Sequence, residues 1–351
     1  MGDARPRANG LVNANKACMR ISFDTLHLTL SRCLLLRGFS EPRARQCAYI
    51  LAENNLVGVE SHGLNRFPRF LEWIDRGWVI PEAVAERITS HGGMEQWDGN
   101  LGPGPLNAQD AMARAVTLSQ TSGIGCVALR NTNHWMRAGT YAWQAASAGC
   151  LGICFTNTEP NLPPWGSAIP KLGNNPIALS VPRENGQHVL FDGALSQFSY
   201  GALERAARHR ELLPVPGGFS TSGRLTSDPT EILQSQRALP IGYWKGAGLS
   251  LLLDLFATVL SSGQSTYDLG QQPSEHGVSQ VLLAFSHAWI SADVRSAIER
   301  SLADLHATRC IADDESVTYP GERLQRRRTE NLRLGVPVDP KRWRQVVRAS
   351  A

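Results

Sequence analysis

Apolar residues recur at helical spacing in three consecutive segments near the start of the chain, each bounded by capping residues. The first, SFDTLHLTLSRCLLLRG, has Ser22 in place for an N-cap and Gly38 for the stop. The second, SEPRARQCAYILAENN, repeats the pattern with Ser40 as the cap and Pro42 in the first turn. The third, RFPRFLEWIDRG, ends at Gly77. The pattern predicts a helical N-terminal region, with the sequence SHG between its second and third helices.

The period changes after residue 85, where strand-like runs alternate with amphipathic helical segments. ERITSHGGMEQWDG is typical of a hairpin, and PLNAQDAMARAVTLSQTSG is typical of a helix. IGCVALR (124–130), a helical segment and LGICFTN (151–157) predict a strand–helix–strand unit with a parallel strand pair. NPIALSVP and HVLFDGA predict two further strands joined by the turn RENG.

The pattern is mainly helical again from residue 242, through GYWKGAGLSLLLDLFATVLSSG. A strand at 278–285 and three helices follow, the last with Asp339 as its N-cap. We predict an α/β fold in which the two chain ends form a helical domain around an inserted α/β domain with a mixed sheet. The predicted segments are a loose extension at 1–18, helical parts at 19–84 and 242–351, and the α/β domain at 85–241.

Composition and charge narrow the class of protein. The 351 residues are 42% hydrophobic and 19% charged, and the formal net charge of +4 is too small for us to expect nucleic-acid binding. The seven cysteines show no Cys-x-x-Cys spacing, which fits a reducing compartment. No apolar run approaches the roughly 20 residues of a membrane span, and residues 1–18 lack the apolar core of a secretory signal. We expect a cytoplasmic protein that is not bound to a membrane.

The segment VESHGLNRFPRF concentrates Ser61, His62, Arg66 and Arg69 at the boundary between two predicted elements. Histidine titrates near neutral pH and suits proton transfer. An arginine four residues later would lie one helical turn away and could hold a carboxylate in its fork. The alternative interpretation is structural, with Ser61 as the N-cap of a buried helix and His62 as a surface residue. A hydrolase that uses Ser61 is disfavoured, because sequence neighbours are poorly placed as nucleophile and base.

Two further segments could bind a ligand. RNTNHWMRAG places His134 where a strand end leads into a helix, a common ligand position in α/β proteins. GYWKGAGLS is a glycine-rich loop with Lys245 before a long helix, which suits an anion. The structural alternatives are a capped loop and close glycine packing. Walker A, Gly-x-Ser-x-Gly, His-Glu-x-x-His and Cys/His metal motifs are absent from the sequence. We therefore predict an enzyme with a histidine acid/base, an anionic ligand and no metal.

Several segments together resemble the malate/L-lactate dehydrogenase family, in order and in spacing: ESHGLNRFPRF, ALRNTNHWMRAG, PPWGS, LGNNP, FSYGALE, LPIGYWKGAGLSLLLD and YPGE. The resemblance implies an NAD(P)-dependent oxidoreductase acting on CH–OH groups, whose nucleotide domain is not a Rossmann fold. It also implies a homodimer with a cleft between the helical and α/β domains. NHWMR, FSYG and GYWKG indicate a branch that reduces 2-keto sugar acids. A malate- or lactate-type 2-hydroxy acid dehydrogenase and a non-catalytic sugar-acid binder on the same fold are the alternatives.

The resemblance also implies roles for individual residues. His62 corresponds to the proton donor. Asp192 is our candidate for holding His62 in its tautomer, Arg66 for the substrate carboxylate, and His134 for a further substrate contact. We expect NADH as the reductant, with NADPH as an alternative because Arg323 adds positive charge. The residues that correspond to cofactor contacts are His188, Val189, Leu190, Phe191, Asp192, Gly193, Ala194, Trp244, Lys245, Gly321, Glu322 and Arg323.

Overall fold

The computed structural model describes residues 19–311 and 316–351. The extension predicted at residues 1–18 lies outside the described residues. The strands are Met19–Ile21 (β1), Glu86–His91 (β2), Met94–Asp98 (β3), Ile124–Thr132 (β4), Leu151–Thr156 (β5), Ile177–Val181 (β6), Val189–Gly193 (β7), Gly218–Phe219 (β8), Leu225–Thr226 (β9), Val278–Phe285 (β10) and Val336–Val338 (β11).

Helices fill most of the remaining described chain. Besides two short 3₁₀ turns, at Glu60–His62 and His287–Trp289, they are Phe23–Leu35 (α1), Glu41–Leu56 (α2), Phe67–Asp75 (α3), Gly104–Ser122 (α4), Ala138–Ser147 (α5), Tyr200–His209 (α6), Pro229–Ser235 (α7), Trp244–Ser261 (α8), Thr266–Leu269 (α9), Ala292–Ala307 (α10), Glu322–Leu334 (α11) and Pro340–Ala349 (α12).

The three N-terminal helices are confirmed, with their predicted ends. Ser22 Oγ accepts the N–H of Thr25 at 3.0 Å and caps α1. Gly38, at φ +85°, takes the left-handed conformation that ends this segment. Ser40 stands at the N-cap of α2 with Pro42 in the first turn, although the Ser40 side chain makes no cap hydrogen bond. The apolar faces of these helices form a core that includes Leu26, Leu30, Leu51, Phe67 and Phe70.

The two ends of the described chain pack together, as predicted. β1 pairs antiparallel with β11, with Met19 opposite Val338. Trp343 and Val346 of α12 join the same core as the N-terminal helices. Asp339 caps α12 by accepting the N–H groups of Lys341 and Arg342. The helical part is therefore built from both ends of the chain.

The inserted α/β part contains a seven-stranded mixed sheet in the order β2-β3-β4-β10-β5-β6-β7. β3 and β4 are parallel, and every other pair in this sheet is antiparallel. A Rossmann fold is mostly parallel, so the predicted departure from that fold is confirmed. The hairpin predicted from ERITSHGGMEQWDG is present as β2 and β3.

Strand β10 overturns one prediction about this sheet. It lies between β4 and β5 and is antiparallel to both. β4 and β5 therefore run in the same direction but do not pair, so the predicted parallel pair is wrong. Residues 278–285 also belong to the sheet, although they lie in the segment predicted as helical. The reason is that β10 is covered on both faces, and such a strand is one apolar run that indicates no neighbour.

Helices cover both faces of the sheet. α4 and α5 pack on one face, where Met112 and Tyr141 meet Leu129. Gly125 of β4 permits close approach of α4, because an added Cβ there would lie 1.9 Å from the carbonyl oxygen of Ala115. α8 packs on the opposite face.

α8 has two different faces. Leu253 and Ala257 pack against the sheet. Six leucine, phenylalanine and valine residues of the helix are exposed, at 41–72% of their surface: Leu249, Leu251, Leu252, Leu255, Phe256 and Val259. Within the described residues α8 alone has the length and composition that crossing a membrane requires, and 39% of it is buried inside the protein. Its outer face therefore lacks a covering element in a single chain.

Leu51 provides a test of the helical core. Its side chain is fully buried, at 0% exposure. We expect Leu51→Ala to lower the free energy of unfolding by about 2–5 kcal/mol, because it leaves a cavity. Urea denaturation measures this change. Leu36, which is 62% exposed, is the matched control, and its replacement by alanine should change the free energy of unfolding by about 0.5 kcal/mol or less. Equal effects would place Leu51 outside the core.

Candidate active site

His62 lies in the 3₁₀ turn Glu60–His62, between α2 and α3. The predicted α-helical turn from Ser61 to Arg66 is not formed, since α3 begins only at Phe67. Gly63 explains the interruption. An added Cβ there would lie 1.9 Å from Oδ1 of Asn55 and 2.8 Å from the carbonyl oxygen of Leu51. The backbone of this turn is therefore pressed against α2, which only glycine permits.

Two fully buried asparagines at the end of α2 fix this turn. Asn54 Nδ2 donates to the carbonyl oxygen of His62 at 2.9 Å, and its Oδ1 accepts from Thr140 Oγ1 at 3.1 Å. Asn55 Oδ1 accepts the N–H of Leu64 at 2.5 Å. Because Thr140 belongs to α5, Asn54 links the His62 turn to the α/β part. Sequence reasoning had treated the two asparagines only as part of a helix end.

His62 and His134 are brought together, as the sequence hypothesis required. Their rings stack with centroids 5.9 Å apart and an interplanar angle of 11°. Nδ1 of His134 accepts the N–H of Met136 at 3.0 Å, so a neutral His134 carries its proton on Nε2. Nδ1 of His62 lies 3.0 Å from Oγ of Ser61. This contact leaves Nε2 of His62 available to a ligand.

The surroundings of His62 disfavour positive charge. Burial, followed by the guanidinium groups of Arg66 and Arg137, lowers the pKa of His62 to about 3. Burial and Arg66 also hold the pKa of His134 well below its ordinary value. A histidine that donates a proton must first be protonated, whereas burial and the two guanidinium groups favour the neutral imidazole of His62. A negatively charged ligand beside Arg66 would raise the pKa of His62.

Arg66 faces this site without a partner of its own. Among residues 19–311 and 316–351 its guanidinium forms no hydrogen bond and no ion pair. Burial lowers the pKa of Arg66, while the carboxylates of Glu275, Glu204 and Glu159 oppose that effect. An unpaired, half-buried guanidinium beside two histidines is a site for a small anion, since a planar fork binds a carboxylate bidentately.

Asp192 contacts an arginine rather than His62. Nε of Arg137 donates to Oδ2 of Asp192 at 2.8 Å, and Nδ1 of His62 faces Ser61 instead. The contacts thus do not support the hypothesis that Asp192 holds the His62 tautomer. Gly139 makes room for the pair, because an added Cβ would lie 2.5 Å from Oδ2 of Asp192. Arg137 was visible as a polar residue of NHWMRAG, but its partner lies 55 residues away, so no local pattern indicated the bond.

Arg137 is itself unusual. Only 6% of it is exposed, and its Nη2 is buried with no partner among the described residues. A buried charged donor without a partner is costly, so Nη2 is a donor that a bound ligand would satisfy. Together with Arg66 it surrounds His62 with positive charge.

The predicted cofactor segments meet along β7, which is an edge strand of the sheet. The N–H of Leu190 donates to the carbonyl oxygen of Pro320 at 2.8 Å, so the segment before α11 lies along this edge. Gly321, at φ +98°, packs closely against β7, since an added Cβ would lie 2.9 Å from the nitrogen of Leu190. Phe191 is 42% exposed on the strand. An exposed ring thus lies beside the packed segment.

Other residues of these segments differ in what they offer. His188 is engaged within the protein, since its Nδ1 accepts the N–H of Arg183 at 3.0 Å and its ring lies 4.6 Å from that of Trp143. Glu322 Oε2 pairs with Nε2 of His306 at 3.0 Å. Arg323 is exposed. His188 could therefore contribute its backbone, but not a free imidazole.

The start of α8 lies near the other end of β7. The N–H of Ile241 donates to the carbonyl oxygen of Leu195 at 2.9 Å, which places the loop before α8 beside the segment that follows β7. Trp244 is 63% exposed, and Nζ of Lys245 lies 6.0 Å from its ring centroid. Lys245 forms no ion pair within the described residues, so its charge is available to an anion.

Comparisons with known proteins agree with this geometry. The family model described as malate/L-lactate dehydrogenase matches residues 21–347. The chain is 43% identical to 2,3-diketo-L-gulonate reductase of Citrobacter koseri over 331 residues, 93% of this chain and 99% of that protein. The Klebsiella pneumoniae protein of the same name is also 43% identical, over the same shares of each chain.

Solved structures share the fold. Malate dehydrogenase from Entamoeba histolytica matches with a TM-score of 0.89 at 23% identity, covering 95% of this chain and 97% of that one. Malate dehydrogenase from Pyrococcus horikoshii matches with a TM-score of 0.85 at 27% identity, covering 95% and 96%.

The lowered pKa of His62 predicts a pH dependence of stability. The unfolded chain binds a proton at this histidine below a pH of about 6.5, whereas the folded chain does not until about pH 3. Stability is therefore retained above pH 6.5 and lost as the pH falls, by up to roughly 1.4 kcal/mol per pH unit. Relative to His62→Gln, wild type should lose stability from pH 7 to pH 5 in urea titrations. His91→Gln, at an exposed position of β2, should show no such trend. If the difference in free energy of unfolding between wild type and His62→Gln does not change with pH, the assignment of a neutral His62 is wrong.

Proposed function

Because the chain belongs to the malate/L-lactate dehydrogenase family, we propose that it reduces a 2-keto sugar acid, with 2,3-diketo-L-gulonate as substrate and 3-keto-L-gulonate as product. Membership makes it an oxidoreductase acting on CH–OH groups with a nicotinamide cofactor. The observation that carries the proposal is the unpaired guanidinium of Arg66 close to the His62 ring. It offers a carboxylate seat beside a proton donor.

Arg66 binds the carboxylate of the keto acid. The two groups of a 2-keto acid that need recognition, the carboxylate and the ketone, are on adjacent carbons, and Arg66 and His62 lie on either side of Gly63 in one short segment. The planar guanidinium can bind both carboxylate oxygens at once. His134, stacked on His62, provides a second N–H for the same substrate.

His62 supplies the proton to the ketone oxygen from Nε2. When bound, the reduced nicotinamide supplies the hydride that the ketone carbon accepts, and negative charge develops on the oxygen. The neutral ring seen in the structure is not yet the acid. A carboxylate bound at Arg66 offsets the positive charge that lowers the pKa of His62, so substrate binding favours the imidazolium. Protonation is thereby coupled to the arrival of the correct anion.

Asp192 serves this site through Arg137. The carboxylate holds Nε of Arg137 at 2.8 Å and directs the guanidinium, whose Nη2 has no partner among the described residues. It also lies at the end of β7, where the predicted cofactor residues begin to approach the substrate site. We therefore assign Asp192 to the site as a positioning residue for Arg137.

The residues along β7 and at the start of α8 fit a dinucleotide in two respects. Phe191 offers an exposed ring, and Lys245 offers a positive charge for phosphates. We propose NADH rather than NADPH, because the carboxylate of Glu322 stands beside Gly321, and a carboxylate favours ribose hydroxyls over a phosphate. Arg323 is the residue that would serve NADPH instead.

The exposed apolar face of α8 supports a homodimer. Its six exposed side chains would be covered by a second copy, as expected for an apolar surface of this size on a globular protein. Among the cysteines in the described part of the chain none is paired, and five of the six are buried. This usage supports our proposal of a cytoplasmic location.

Two alternatives remain distinct from this proposal. A malate- or lactate-type dehydrogenase would use the same carboxylate-binding site. A non-catalytic binder would keep that site but would have no functional proton donor. Mixing the protein with NADH and a panel containing 2,3-diketo-L-gulonate, pyruvate and oxaloacetate, while following nicotinamide absorbance, separates the three. Preferred turnover of the sugar acid is the expected result.

The proton donor is tested by His62→Ala. We expect turnover to fall by about 10²–10⁴-fold, because a positioned general acid is lost. Cofactor binding, followed by NADH fluorescence, should change little, since the predicted cofactor residues lie elsewhere along β7 and α8. Activity within threefold of wild type would remove His62 from the mechanism.

The carboxylate seat is tested by Arg66→Lys, which keeps the charge but loses the fork. We expect kcat/KM for 2-keto acids to fall, corresponding to a loss of transition-state stabilisation of roughly 2 kcal/mol or more. Activity on a matched ketone without the carboxylate should barely change. If the two substrates suffer equally, Arg66 has a structural role instead.

A further inference from the structure

A second polar cluster lies next to Arg66 and has no part in the mechanism above. Cζ of Arg69 stands 5.2 Å from the ring centroid of Trp73, and its Nη2 lies 3.9 Å from Oε1 of Glu159. Glu275 Oε2 accepts the N–H of Glu159 at 3.1 Å. We call Arg69, Glu159 and Glu275 the outer cluster. It joins helix α3 to two loops of the α/β part.

The outer cluster is continuous with the active site. The ring of Trp73 lies 6.0 Å from that of His134, which in turn stacks on His62. The carboxylates of Glu275 and Glu159 also act on the charge of Arg66. A molecule whose carboxylate is held by Arg66 therefore has the outer cluster within reach of its remaining atoms.

Glu275 is the member that most requires an explanation. It is only 8% exposed, and it forms no ion pair with the other described residues. Burial, followed by the charge of Glu159, raises the pKa of Glu275 to about 7, against the opposing influence of Arg66 and Arg69. A buried carboxyl with one oxygen uncommitted is destabilising unless something hydrogen-bonds to it. A ligand with hydroxyl groups would supply those bonds.

The side-chain amide of Asn161 also has an oxygen without a hydrogen-bond partner among the described residues. This oxygen, Oδ1, is buried, while Nδ2 of the same residue lies 3.1 Å from Oδ1 of Asn174. Asn161 follows Glu159 on the same loop, so the two acceptors belong to one surface. Carboxylate and amide acceptors, an arginine donor and an indole face are the groups that recognise a chain of hydroxylated carbons.

We propose that Arg69, Glu159 and Glu275 bind the hydroxylated tail of the substrate and thereby select sugar acids over short 2-keto acids. This inference rests on the proposed reduction of a 2-keto sugar acid. Arg66 and His62 engage the carboxylate and the ketone, which all 2-keto acids share. Only a longer, hydroxylated substrate reaches the outer cluster, whereas the methyl group of pyruvate leaves the buried polar groups without partners.

The test compares two substrates that share the reacting end. Glu275→Gln and Glu159→Gln are assayed with 2,3-diketo-L-gulonate and with pyruvate. We expect kcat/KM for the sugar acid to fall about 10-fold or more in each variant, because a carboxyl group that accepts a substrate hydroxyl is replaced by an amide with one acceptor oxygen instead of two. The value for pyruvate should change much less, because pyruvate senses these carboxylates only through their charge near Arg66. Where wild type turns over pyruvate too slowly to measure, competitive inhibition by oxamate replaces it, and its inhibition constant should likewise change much less than kcat/KM for the sugar acid.

A matched control separates the cluster from the helix on which Arg69 stands. Glu72→Gln removes an exposed carboxylate of α3 that pairs with Arg76 at 2.7 Å and not with a member of the cluster, and neither substrate should be affected. Glu159, whose side chain is 40% exposed, gives a variant that does not depend on tolerating a change at the buried Glu275.

The outcomes distinguish this inference from the proposed function. Equal losses for both substrates, or no loss, with sugar-acid turnover intact in wild type, would overturn the outer cluster as a tail site and leave the proposed function standing. Turnover of pyruvate but not of the sugar acid by wild type would overturn both. A selective loss for the sugar acid in both variants supports the assignment.

Discussion

The arrangement depends on the hydrogen bonds that two buried asparagines make at the end of α2. Asn54 holds the carbonyl oxygen of His62 and accepts from Thr140 of α5, and Asn55 holds the N–H of Leu64. A buried amide is costly unless its donor and its acceptor are both satisfied, and the two contacts of Asn54 therefore favour one position of the turn that carries His62. Through Thr140, Asn54 also joins the helical part to the α/β part. Gly63 is the residue that allows the turn to lie so close to α2.

Positive charge and burial both disfavour the protonated form of His62. Arg66 and Arg137 prepare the site for an anion, but they also lower the pKa of His62 in the absence of one. A carboxylate ligand removes this conflict, because it pairs with the guanidinium group and stabilises a protonated ring. Specificity and proton supply are thus two consequences of one electrostatic arrangement. The acidic groups of the outer cluster then act on the part of the ligand that the arginine does not touch.

Much of the fold could be predicted from local pattern. Capping residues and apolar spacing gave the ends of α1 and α12 because Ser22 and Asp339 act within one turn of their own helix. The position of β10 could not be predicted this way. Its sequence is almost entirely apolar, as in any strand covered on both faces, and nothing in it indicates that it inserts between β4 and β5. The predicted helical turn at Ser61 is absent because the backbone at Gly63 packs against the side chain of Asn55. This tertiary contact outweighs the local helix propensity.

The sequence by itself determined which chemical groups are present and which of them are neighbours along the chain: a histidine, an arginine four residues on, and a glycine-rich lysine loop. Those relations are local, so spacing alone conveys them. Only the tertiary structure decided that Asp192 pairs with Arg137 rather than with His62, and that Glu275 lies beside Glu159. These partners are 55 and 116 residues apart. Their contacts follow from how strands and loops meet in three dimensions, and the pKa of His62 depends on that packing because burial and neighbouring charge arise only when the chain is folded.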